Sequence, residues 1–173
     1  MFTLFSMVTG IIAGALFAFN LPFLAGLVAF SSQILDGVDG QFARLTGRVT
    51  SFGAFLDSVL DRYSDGCLVI GLVIFCLRNV SELPISATIS IGALALIGSG
   101  LISYTSSRAE NLGIILGNPT LASKGTRTTI IAISGLLGPI SCLIPLIALI
   151  YLVVHTNTVV LFRIYKAARQ ILD

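Results

Sequence analysis

The chain has 173 residues, of which 55% are hydrophobic and 10% charged, with a net charge of +2 at pH 7 and a mean hydropathy of +1.01. Soluble domains carry about 25% charged residues, so these charges are too few to clothe a water-facing surface, and such hydrophobicity also excludes disorder. Three cysteines, an odd count with each inside an apolar run (Cys67, Cys76, Cys142), exclude a secreted disulfide scaffold and leave an integral membrane protein.

Crossing a hydrocarbon layer of about 30 Å takes about 20 helical residues. Six apolar stretches approach that length, at roughly 2–19, 21–36, 54–77, 85–105, 126–138 and 140–162. Asn20-Leu21-Pro22 marks a tight turn between the first two, and the helix-breaking pair Gly138-Pro139 separates the last two. The stretches are unbroken apolar runs rather than the alternating pattern of barrel strands. The first stretch lacks a basic leader and is followed at once by another apolar segment, so it is no signal peptide. The expectation is an all-α integral membrane protein, six transmembrane helices in a single domain over 1–173, entered abruptly with no polar leader before Phe2.

Six spans put nine basic residues on one side: Arg44, Arg48, Arg62, Arg108, Lys124, Arg127, Arg163, Lys166 and Arg169. Only Arg78 falls on the other. By the positive-inside rule both termini and the connections 37–53 and 106–125 are expected in the cytoplasm.

Five of the eight acidic residues lie between positions 36 and 65. Carboxylates at membrane depth are expensive and point to function. Asp36 and Asp39 are three apart and share a face at the end of the second helix; Asp57 and Asp61 are four apart and share a face near the start of the third. A connection around Gly47 makes these helices antiparallel neighbours, so four carboxylates converge. Their repulsion requires that some be protonated or that a cation lie between them. Hard oxygen ligands favour Mg²⁺, Mn²⁺ or Ca²⁺, and two divalent ions would balance four negative charges. Such a site suits diphosphate chemistry, because metals stabilise attacking and leaving oxygens together. Gly40, Ala43 and Gly53 extend the same faces with small side chains, leaving a groove, and Arg44 adds a fixed cation.

These residues fit one pattern: Asp36-x2-Asp39-Gly40-x2-Ala43-Arg44-x8-Gly53-x3-Asp57-x3-Asp61. It resembles the signature of the CDP-alcohol phosphatidyltransferases at all eight fixed positions, and the six-span pattern extends the resemblance over nearly the whole chain. The resemblance implies transfer of a phosphoalcohol group from a CDP-alcohol to an acceptor hydroxyl, with release of CMP. It implies that Asp36, Asp39, Asp57 and Asp61 hold Mg²⁺ or Mn²⁺, two ions in all, and that Asp61 is the general base. Asp36, Asp39, Gly40, Ala43, Arg44, Gly53 and Asp57 would contact the CDP moiety. A homodimer is implied as well. Family members usually carry a polar or amphipathic leader before the first span, which this sequence lacks.

The run Tyr104 to Asn111, YTSSRAEN, is similar to one in members that use polyol phosphate acceptors, the phosphatidylinositol-phosphate and di-inositol-phosphate-phosphate synthase branch. Lys124 and Arg127, three apart, stand where the family often places two arginines. Arg108, Lys124 and Arg127 are therefore expected to bind the phosphate of an acceptor such as inositol phosphate or glycerol phosphate. The competing reading makes them anchors to anionic membrane lipids. The donor could be CDP-diacylglycerol, an ether-lipid equivalent or CDP-inositol. Arg163, Lys166 and Arg169 read as a surface anchor, and His155 and the cysteines as packing residues. Asp65 reads as a partner of Arg62 or Arg44, and Gly92, Gly98 and Gly100 as close-packing positions. A divalent-cation transporter or channel using the Asp cluster is the alternative function. It is disfavoured because the carboxylates lie at one end and the far side has only Arg78 and Glu82. Nothing in the sequence suggests nucleic-acid binding.

Overall fold

The computed structural model describes the backbone of residues 2–45, 50–116 and 123–172, and side chains over 4–34, 50–116 and 123–171. Six helices follow one another: α1 (Phe2–Ala18), α2 (Pro22–Leu45), α3 (Ser51–Asn79), α4 (Ile85–Asn111), α5 (Lys124–Leu137) and α6 (Leu143–Leu172). The expected all-α architecture is present. Helices α2, α3, α4 and α6 outrun their apolar stretches, because the polar residues at their ends continue the helix. Asp36, Asp39, Gly40, Ala43 and Arg44 therefore lie on helical backbone in α2, though their side chains are outside the described residues.

The helix ends follow local chemistry. Thr50 caps α3, its hydroxyl accepting from the Gly53 N–H at 3.0 Å, and Ser123 caps α5 by accepting from Thr126 N–H. The α1–α2 turn puts Asn20 at φ 64°, a left-handed conformation that asparagine tolerates. Asn79 donates to Asn20 Oδ1 at 2.7 Å, and Arg78 donates to the Ala18 carbonyl left open at the end of α1. Arg78, expected alone on its side, thus serves as a helix cap at the end of the bundle opposite the Asp motif.

Helix α3 is central. It packs chiefly on α1 and also meets α4, α5 and α6, while α2 pairs with α5 and α4 with α6. Phe17, Leu68, Leu72, Leu149 and Leu152 are the large side chains at the core. The α1–α3 crossing is a backbone contact: a Cβ on Gly71 would stand 2.0 Å from the Gly14 carbonyl oxygen. Gly92 and Gly98 are close-packing positions as expected, against Val73 and Thr156. Gly100 is not; no atom lies within 4 Å of its Cβ position, and it faces a cavity instead. Large apolar side chains such as Phe23, Ile97, Ile147 and Val154 point outward.

Among the described residues α4 and α6 are by length and composition sufficient alone to cross a membrane, while Leu4–Ala18 of α1 and Pro22–Ile34 of α2 are apolar but shorter. The reasons are physical. Helix α3 has 29 residues but carries Asp57, Asp61, Arg62, Asp65 and Arg78. Helix α5 has 14 residues, about 21 Å at 1.5 Å per residue, less than the hydrocarbon thickness of about 30 Å.

Candidate active site

The acidic face of α3 repeats every four residues: Asp57, Asp61, Asp65. Helix α5 begins opposite it and offers cations three apart. Lys124 Nζ lies 2.5 Å from Asp61 Oδ1, and Arg127 Nη2 lies 2.5 Å from Asp65 Oδ2. The two ladders match because three- and four-residue spacings both return a helix to the same face. Arg127 is 4% exposed and Asp65 11%, so this pair is withdrawn from water, while Lys124 and Asp61 sit nearer the opening. Asp65 thus meets Arg127 and not Arg62; the other expected partner, Arg44, has its side chain outside the described residues. Arg62 turns to α4 and donates to Ser103 Oγ.

Beside these pairs a cavity of about 990 Å³ opens between α3, α4, α5 and α6. Arg62, Lys124, Arg127 and Arg163 line it, with Ser103, Ser107 and Glu110 among the other polar groups. Two of the three expected acceptor residues, Lys124 and Arg127, are on this wall. Arg108 is exposed at the end of α4 and is not part of the described lining. Arg163, read from the sequence as a surface anchor, is a cavity residue. It spans to α4, donating to the Ile102 carbonyl, to Thr105 Oγ1 at 3.0 Å and to Ser106 Oγ at 2.9 Å. No local pattern in the sequence pairs Arg163 with Thr105 and Ser106, which are 58 and 57 residues away.

Helix α2 is held to α5 just below the Asp motif. Gln33, one turn before Asp36, donates from Nε2 to Thr129 Oγ1 at 2.7 Å. Among the described residues Gly53, at the start of α3, meets its cap Thr50. Among the described residues no three His, Cys, Asp or Glu side chains come together; Asp57 and Asp61 are described, and Asp36 and Asp39 lie outside. The donor set itself, carboxylate oxygens one turn apart, fits a hard divalent cation and not a soft one. His155 stacks on Tyr151 at 5.2 Å, and the cysteines are free thiols, as packing roles require.

Carboxylates of α3 and cations of α5 and α6 are thus gathered at one end of a six-helix bundle. The CDP-alcohol phosphatidyltransferase family model matches residues 1–170, and the chain belongs to that enzyme family. An archaetidylinositol phosphate synthase of Pyrococcus horikoshii is 32% identical over 148 residues, covering 86% of this chain and 71% of the relative. A bifunctional IPC transferase and DIPP synthase of Thermococcus kodakarensis is 38% identical over 106 residues, 61% of this chain but 23% of that longer protein. The phosphatidylinositol phosphate synthase of Mycobacterium tuberculosis with CDP-DAG bound shares the fold at a TM-score of 0.81 and 23% identity, covering 96% of this chain and 84% of that one. The same enzyme in complex with manganese and citrate gives a TM-score of 0.81 at 22% identity, over 95% and 79% of the two chains.

Proposed function

We propose that this chain transfers a phosphoalcohol group from a CDP-alcohol to the hydroxyl of a polyol phosphate and releases CMP. The observation that carries the reading is the cationic cavity, lined by Arg62, Lys124, Arg127 and Arg163 and joined to the α3 carboxylates through the Lys124–Asp61 pair. A polyol phosphate needs such cations for its phosphate and a carboxylate for its hydroxyl. The donor is CDP-diacylglycerol or its ether-lipid equivalent, supported by the shared fold of an enzyme solved with CDP-DAG. The acceptor is inositol phosphate, supported by the names of the relatives, with glycerol phosphate the nearest competitor.

Asp61 takes the proton from the acceptor hydroxyl, whose oxygen then forms the new bond to phosphorus as the bond to CMP breaks. Lys124 fixes the Asp61 carboxylate and reaches the acceptor's phosphate side. Arg127 and Arg163 hold that phosphate, with Arg108 steering it at the mouth. Gly40, Ala43 and Gly53 leave room for cytidine against α2 and α3, with Arg44 beside the diphosphate. Asp36, Asp39, Asp57 and Asp61 would hold two ions of Mg²⁺ or Mn²⁺; the fold relative solved with manganese supports the choice. When bound, the metal supplies charge neutralisation on the diphosphate and so improves CMP as a leaving group. In this reading all six helices cross the membrane, with the site and both termini cytoplasmic, and two copies associate as a dimer.

The test is CMP release with labelled CDP-diacylglycerol, Mn²⁺ or Mg²⁺, and a panel of inositol phosphate, glycerol phosphate, free inositol and water. Turnover confined to the phosphorylated polyols supports the reading. Equal use of free inositol would remove the cationic cavity from it.

A further inference from the structure

Helix α4 ends in a turn that aims the chain across the cavity mouth. Gly113, at φ 68°, takes the left-handed conformation, its N–H donating to the Glu110 carbonyl while Ile114 N–H reaches back to Ala109. The next three residues leave the helix as a short strap, and α6 clasps it. Gln170 pairs with Ile115 in both directions: Ile115 N–H donates to Gln170 Oε1 at 3.0 Å, and Gln170 Nε2 donates to the Ile115 carbonyl at 2.8 Å. Lys166 Nζ donates to the Leu116 carbonyl at 2.8 Å. The Gln170 amide thus replaces the neighbour strand that an isolated extended segment lacks.

That pairing settles which side chains face inward. Alternate residues of an extended segment point to opposite sides. Ile115 is 74% exposed, while Ile114 and Leu116 line the cavity. A slip of one residue would exchange them. The clasp also shares its helix face with a cavity cation: Arg163, Lys166 and Gln170 follow at three- and four-residue steps along α6, so one stripe supplies Arg163 and secures the apolar wall beside it.

We propose that Gln170, with Lys166, is a positioning residue that holds Ile114 and Leu116 as the wall of the acceptor cavity and so sets acceptor fit. It rests on the proposed function, since it assigns a role to that cavity's shape. Gln170 touches no substrate and acts through the strap.

The experiment compares the full chain in detergent with Gln170→Ala and Gln170→Glu. Amide exchange is followed on the peptide covering 112–116, and transfer from CDP-diacylglycerol to inositol phosphate is measured alongside. In Gln170→Ala, Ile115 exchange accelerates and the acceptor KM rises about tenfold, the equivalent of one to two net hydrogen bonds, while kcat and donor KM change less than about twofold. Gln170→Glu keeps an acceptor for the Ile115 N–H but loses the donor to its carbonyl. It retains Ile115 protection and gives an intermediate acceptor KM, which covers the case in which the alanine variant fails to fold. Faster exchange with an unchanged acceptor KM would make the clasp merely structural and overturn the proposal, as would unchanged exchange. A parent enzyme that ignores phosphorylated acceptors would instead sink the proposed function, and this inference with it.

Discussion

Replacing glycine by alanine at two positions of α3 is expected to have opposite effects. In a helix interior the change favours folding by about 0.5–1 kcal/mol, because alanine has less backbone entropy to lose. At Gly66 no atom of the described residues lies within 4 Å of the new Cβ, so Gly66→Ala keeps that gain. At Gly71 the Cβ would stand 2.0 Å from the Gly14 oxygen and 2.6 Å from its carbonyl carbon. Carbon–oxygen contacts settle at about 3.3 Å, so α1 and α3 must part by about 1.3 Å. The obstacle is backbone, with no flexible side chain to yield, which places the overpacking penalty near the upper end of about 1–3 kcal/mol. Net of the helical gain, Gly71→Ala loses about 2–2.5 kcal/mol, or about 4–10 °C in Tm for a chain of this size. Cys76 is fully buried while the free thiols of Cys67 and Cys142 are partly exposed, so with those two replaced by alanine in every variant, reaction of Cys76 with a thiol-directed fluorophore during heating reads the unfolding. A Gly71→Ala protein as stable as the parent, or a Gly66→Ala protein that falls by a similar amount, would refute the backbone-contact account of the α1–α3 crossing.

Three further outcomes follow from the site. Asp61→Asn is expected to abolish transfer while leaving CDP binding nearly intact, measured by CMP release and by nucleotide titration; near-parental turnover would remove Asp61 as the base. Asp36→Asn and Asp57→Asn are each expected to weaken Mn²⁺ and nucleotide binding together, and chelation should stop turnover in the parent until Mn²⁺ or Mg²⁺ is restored; calorimetry showing intact metal affinity in both variants would dismantle the carboxylate site. Asp65→Ala takes away the carboxylate that Arg127 meets at 2.5 Å in a pair withdrawn from water. It should lower thermal stability well beyond Glu82→Ala, and equal melting of the two would show that the pair contributes nothing.

The sequence alone determined the helices and the order of the carboxylates along them. Apolar runs of near-membrane length, punctuated at Asn20-Leu21-Pro22 and Gly138-Pro139, fix six helices because backbone groups in an apolar setting must be satisfied within their own segment. Asp36 with Asp39, and Asp57 with Asp61, are legible for a similar reason: spacing along one helix is a local property. Local spacing carries no information about which helix lies opposite. From sequence, Asp65 had candidates on its own element or the preceding one, and Arg163 belonged to a tail on the surface. Packing decided otherwise. Helix α5 set Arg127 against Asp65, α6 brought Arg163 to Thr105 and Ser106, and Gln170 found the backbone of a segment 55 residues away in the chain. Side chains at such separations meet only when the whole bundle closes, so which of them surround the cavity is settled by how the helices stack rather than by any pattern within one of them.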